Sequence, residues 1–135
     1  MEQEDYLKRQ IDQLGRVLGK ILSDVLGFAN KGQTSLGIDI TNQTLKKELD
    51  INIQELIDIE TDIFIKTLKS EKKFANNNLD QLAEILLLLA DSSKQDKDKK
   101  NIYVKCLRIY EYLESVEKTY SFDRQMKIEK IKNVL

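Results

Sequence analysis

Residues 79–90 read Leu-Asp-Gln-Leu-Ala-Glu-Ile-Leu-Leu-Leu-Leu-Ala, and this stretch decides the fold. Wound at about 100° per residue, Leu82, Ala83, Ile85, Leu86, Leu87, Leu88 and Leu89 point in nearly every direction except that of Glu84. A helix apolar almost all round has no face to give to water, so it belongs in the middle of a bundle. The longest uninterrupted apolar run, Ile85 to Ala90, is far short of the ~20 residues that span a bilayer. Burial inside protein is what remains.

Upstream, Asn76, Asn77 and Asn78 interrupt the pattern, and Asn78 is placed to cap a helix over Leu79 to Ala90. Downstream, Ser92 to Lys100 is wholly polar and reads as an exposed connection. A long helix from about Lys100 to Lys118 then sets Tyr103, Cys106, Leu107, Tyr110 and Leu113 on one side, with Ile109 and Val116 at its margin. Ser121 resembles a cap for a last helix carrying Ile128, Ile131 and Val134.

Before the core stretch, Leu7, Ile11, Leu14, Leu18, Ile21, Leu22 and Val25 recur at helical spacing, which predicts a helix from about Glu2 to Leu26 stopped at Gly27. Asn30-Lys31-Gly32-Gln33 reads as a turn. A second helix, from Thr34 or Ser35 to Leu49, carries opposed stripes, Leu36 with Ile40 and Ile38 with Leu45 and Leu49, and so lies between neighbours. Asn52-Ile53-Gln54-Glu55 resembles a capping box, with Ile51 and Leu56 as its hydrophobic staple. Thr61-Asp62 is a further start signal ahead of Ile63, Phe64, Ile65 and Leu68. No strand-period alternation of useful length appears. The expectation is an all-α single domain over residues 1–135, with about six helices in antiparallel pairs.

Two absences narrow the function. The chain holds no proline and no histidine. Without proline, helix ends are left to caps, glycines and polar loops; without histidine, most catalytic and transition-metal constellations are lost. The 22 basic and 23 acidic residues nearly cancel, leaving a formal net charge of -1. Such a balance speaks against a nucleic-acid partner, whose binding relies on a strongly basic face, and against attraction to a membrane surface. The start, Met1-Glu2-Gln3-Glu4-Asp5, is acidic where a secretory signal is basic, and a single cysteine allows no internal disulfide. A cytoplasmic location is expected.

Two segments resemble tetratricopeptide (TPR) repeats, whose period is about 34 residues. Gly32-Gln33-Thr34-Ser35-Leu36-Gly37-Ile38 is similar to the turn and second-helix start of such a repeat, with Gly37 and Thr44 near its small-residue sites. Leu82-Ala83 followed by Leu86 resembles the first helix of another, and Tyr103, Cys106, Tyr110 and Leu113 its second. The resemblance covers about two thirds of the chain and implies TPR-like packing without a regular repeat array. It implies a scaffold for protein contacts, in a chain similar to small helical bacterial proteins.

The candidate residues follow from these readings. Arg108, Glu111 and Tyr112, on the predicted outer side of the Lys100–Lys118 helix, are the candidate protein contact, because arginine and tyrosine supply directional hydrogen bonds and large contact area. Gly15 and Gly19 form a small-x-x-x-small pair suited to close helix packing, within the chain or across a homodimer. Cys106, on an apolar face with no base to activate it, reads as a small core residue. Glu111, Glu114 and Glu117 read as a solvated helix edge, with Glu114 turned toward Tyr103 and Tyr110, and the lysines Lys66, Lys69, Lys72 and Lys73 as a solvated helix end. The expected function is therefore a non-enzymatic scaffold or adaptor, with no cofactor and no metal, acting on a protein partner. The alternatives are a small carboxylate-based ligand-binding or enzymatic bundle and a purely structural homodimer.

Overall fold

The computed structural model describes residues 2–32, 34–93 and 96–135, with the side chains of all of these except residues 2–4, 28–30 and 34–38. Among them the chain forms α1 (Glu2–Asn30), α2 (Thr34–Leu49), α3 (Ile53–Asp58), α4 (Phe64–Ser70), α5 (Asn76–Ser92), α6 (Asp96–Val116) and α7 (Phe122–Val134). A 3-10 turn, Thr61–Ile63, sits between α3 and α4, and the described residues form no strand. The fold is all-α, and none of its described helices is long and apolar enough to cross a membrane.

α5 is the centre, as its all-round apolar surface requires. Leu79, Leu82, Ala83, Ile85, Leu86 and Ala90 are completely buried. Each leucine removed from water in this way is worth roughly 1.5–3 kcal/mol. α6 runs along one flank of α5 and α1 along another, α2 pairs with α1, and the short elements from α3 to α4 lie on α6. α7 packs against α6 as well.

Local chemistry sets the starts of α3 and α7. The Asn52 side chain accepts hydrogen bonds from the backbone N–H groups of Gln54 (2.8 Å) and Glu55 (3.3 Å), and Ile51 and Leu56 are buried as the staple. The Ser121 hydroxyl accepts from the Arg124 N–H at 3.2 Å. Three ends differ from the sequence reading. α1 does not stop at Gly27, where a Cβ would meet open space, but runs on to Asn30; the left-handed residue that turns the chain is Gly32, at φ +73°. Asn78 is not the cap of α5 but lies inside its first turn, where its Oδ1 accepts from the Ala75 N–H at 2.9 Å. α6 begins at Asp96 rather than near Lys100, because the charged stretch contains no helix breaker and sets Asp96 and Asp98 at the positive end of the helix dipole. Gln33, Lys94 and Gln95, in the predicted turn and connection, lie outside the described residues, as do the side chains of Leu36, Gly37 and Ile38.

Candidate contact groove

α6 has two working sides. Tyr103, Cys106, Tyr110 and Leu113 face α5 and are buried, as the helical spacing predicts. A second stripe, Asn101, Lys105, Arg108 and Tyr112, recurs at spacings of four, three and four and faces α3, the 3-10 turn and α4. The Asn101 amide donates to the Ile57 carbonyl at 3.3 Å. The Lys105 ammonium donates to the Thr61 hydroxyl at 3.1 Å and lies 5.5 Å from the centre of the Phe64 ring. The Lys69 ammonium sits 5.2 Å over the Tyr112 ring and donates to the Asn76 side chain at 2.9 Å.

Between these elements opens a concavity of about 400 Å³, lined by Thr61, Asp62, Ile65, Arg108, Glu111 and Tyr112. All three residues singled out as the protein contact therefore converge on one groove, whose other wall is the 3-10 turn and the start of α4. Arg108, Glu111 and Asp62 are exposed. Tyr112 is not: it is half-buried and packs against the core, which corrects the expectation that it stands clear of it. The periodic stripe facing α5 hides this, because α6 is covered on a second side by elements distant in sequence.

The charges around the groove are unpaired. None of Asp62, Lys105, Arg108 and Glu111 has an opposite charge within 4.0 Å among the described residues. For three of them water solvates the charge, but Lys105 is 3% exposed. Burial pulls its pKa below the ordinary 10.5; Asp58 opposes the shift and Arg108 adds to it.

On the α7 side the arrangement is reversed. Arg124, 8% exposed, lies 3.1 Å from both Glu114 and Glu117, and Gln125 donates to Glu114 at 2.8 Å. Two of the three glutamates of the charged edge are thus turned toward α7, while Glu111 lies in the groove. Among the described residues no three Asp, Glu or Cys side chains come together as a metal-binding group. Tyr103 donates to Asp91, and burial followed by that hydrogen bond pushes its phenol up to about 12. Cys106 is completely buried, with its Sγ 3.2 Å from the Ala83 carbonyl, and burial pushes its thiol well above the usual range. It is a packing residue with no thiolate character.

Gly15 and Gly19 face α5. A Cβ at Gly15 would meet Asn78 and Gln81 at 3.5 and 3.6 Å, and one at Gly19 would meet Gln81 at 3.4 Å. These are ordinary contact distances, and beside them α5 holds α1 by its backbone carbonyls: Gln81 Nε2 donates to the Gly15 oxygen at 3.0 Å and Asn78 Nδ2 to the Ile11 oxygen at 3.4 Å. The helix against this pair belongs to the same chain.

The sequence places Lys69 at a solvated helix end, where the structure sets it over Tyr112, and it assigns no site role to Lys105 or to the wall formed by Thr61, Asp62 and Ile65. A signal for Lys105 exists, the i, i+3, i+7 spacing of Lys105, Arg108 and Tyr112, but a polar stripe looks like a solvated one until its cover is known. Comparisons of the chain with protein-family models, with curated proteins and with solved structures find no match.

Proposed function

We propose that the chain is a non-enzymatic, cytoplasmic helical scaffold or adaptor that binds another protein through the groove between the 3-10 turn, α4 and α6. The observation that carries this reading is the convergence of Arg108, Glu111, Asp62 and the half-buried Tyr112 on one concavity with their charges unpaired. Charges already paired within a fold contribute little to a partner, whereas unpaired ones beside an aromatic and an aliphatic residue offer directional contacts and an apolar anchor. The groove rests on the pair of α6 with α5, and this pair, like that of α1 with α2, suits the TPR-like packing the sequence resembles.

The test is affinity capture from extract of the cells that make the protein, comparing the wild type with an Arg108→Glu, Glu111→Lys double variant at matched folded concentration. Loss of the captured protein is expected, since removing contact hot spots costs about 2 kcal/mol or more of binding. Capture of the same proteins by both versions would move the contact surface elsewhere.

A further inference from the structure

α5 carries three acidic residues, Asp80, Glu84 and Asp91, and no basic one. Each faces a cation of α7: Asp80 lies 3.8 Å from Arg124, Glu84 3.1 Å from Lys127, and Asp91 3.0 Å from Lys130. α6 adds Glu114 and Glu117 beside Arg124. Positions 124, 127 and 130 are three apart and so descend one side of α7, next to Ile128 and Ile131. Those two isoleucines and Arg124 are the residues of α7 that are buried. The floor beneath them is aromatic: the Tyr110 ring lies 6.0 Å from the Lys127 ammonium, and its hydroxyl is fully buried with no hydrogen-bond partner among the described residues.

α7 is thus held by a ladder of charge pairs and two aliphatic side chains, where α5 is held by a nearly continuous apolar surface. Its outer face carries Phe122 and Met126, 69% and 56% exposed, so no other described element lies over them. The connection from α6 is short and its residues Lys118 to Tyr120 are exposed. A peripheral element with few apolar anchors sits at the low-stability end of a fold, and exchange of such an element between identical chains is a low-cost route to a dimer.

We propose that the trough across α5 and α6, lined by Asp80, Glu84, Asp91, Glu114 and Tyr110, is a binding site for a basic amphipathic helix, filled in this chain by its own α7 and open to the α7 of a second copy. The helix it selects carries cations at i, i+3 and i+6 and aliphatic residues at i+4 and i+7. Charge complementarity sets the choice: all three acidic residues of α5 face this one helix, Asp91 through the carboxylate oxygen that Tyr103 does not take, on the side of α6 away from the contact groove.

The probe is a fluorescent peptide of residues 119–135, titrated against the full-length chain at low ionic strength. A resident helix taxes the incoming one by the fraction of time the trough is open. A full-length Lys127→Ala, Lys130→Ala variant, whose own α7 is weakened, should therefore bind the peptide about tenfold more tightly than the wild type. Binding should vanish for a peptide carrying Arg124→Glu and Lys127→Glu, and should weaken as salt rises. Equal affinity of the two chains, or equal binding of the charge-reversed peptide, would overturn the proposal. Hydrogen exchange on the unmodified chain guards against a variant that misfolds. Amides of α7 should exchange faster than those of α5, with a gap that widens in salt, and uniform protection across both helices would overturn the proposal as well.

Discussion

The two sides of α6 solve the problem of placing charge on a helix in opposite ways. Toward α7, Arg124 is nearly out of water and has two carboxylates at 3.1 Å. Toward the 3-10 turn and α4, Lys105 is more deeply buried still and has only a neutral hydroxyl at 3.1 Å and the face of Phe64. An ion pair that excludes water must be complete, because removing one member strands the other. A buried charge with no counter-ion costs stability, and a single hydrogen bond to a neutral group offsets only part of that cost. The α7 side therefore closes its buried cation with paired carboxylates, and the groove side leaves its own without a counter-ion.

The largest effect should come from breaking the paired side. Arg124→Glu would place a fourth carboxylate among Asp80, Glu114 and Glu117, and should cost roughly 3–5 kcal/mol in chemical denaturation. Arg124→Met, which removes the cation without adding an anion, should cost less. If reversal and removal were equally mild, the network would be surface decoration and the contrast would collapse.

Next is the seam with α5 that divides the two sides. Cys106 fills a slot closed by Ala83, so Cys106→Phe should cost about 1–3 kcal/mol or more by overpacking, while Cys106→Ala stays mild. Equal denaturation midpoints for the two variants would mean that α5 and α6 are not closely packed there.

On the groove side the sign should turn. Lys105→Met keeps most of the volume and removes an uncompensated buried charge, so it should stabilise the fold by about 1 kcal/mol at neutral pH. The alkaline range sharpens the contrast. Lys105 has a folded pKa below 10.5, so the unfolded chain binds more protons between the two values and stability rises with pH across that window. Tyr103, on the other side, is raised from 10.0 to about 12, so the folded chain keeps a proton that the unfolded chain loses, and stability falls as pH rises from 10 to 12. Denaturation curves for Lys105→Met and Tyr103→Phe should lose these opposite slopes one at a time.

The seam between α5 and α6 is more legible than either charged side of α6, and particular residues say why: Glu114 and Glu117 read as a solvated edge, yet both pair with the buried Arg124. The all-round apolar stretch Leu79–Ala90 and the stripe Tyr103, Cys106, Tyr110 and Leu113 announce a buried interface, because apolar periodicity has one cheap explanation. The capping box at Asn52 is legible for the same reason: its hydrogen bonds are local. Tyr112 and Lys105 are not, since what covers them is the segment from Thr61 to Lys69, more than thirty residues away in sequence. The start of α6 was misplaced because polarity suggests a loop, yet a polar segment without proline or glycine can equally begin a helix.

The smallest stability effect is expected where the proposed contact is strongest. Arg108 and Glu111 are exposed and have no ionic partner among the described residues, so Arg108→Glu with Glu111→Lys should shift stability by no more than about 0.5 kcal/mol. Tyr112→Ala is the wrong probe of the same groove, because the ring is half-buried beneath Lys69 and its loss would disturb packing as well as contact. A destabilised variant binds poorly for trivial reasons, so the groove is testable only through residues whose loss the fold does not feel. Thermal melts of the double variant therefore come before any binding measurement. A shift as large as that of Cys106→Phe would show that Arg108 and Glu111 hold the 3-10 turn and α4 in place, and the groove side of α6 would then be structural.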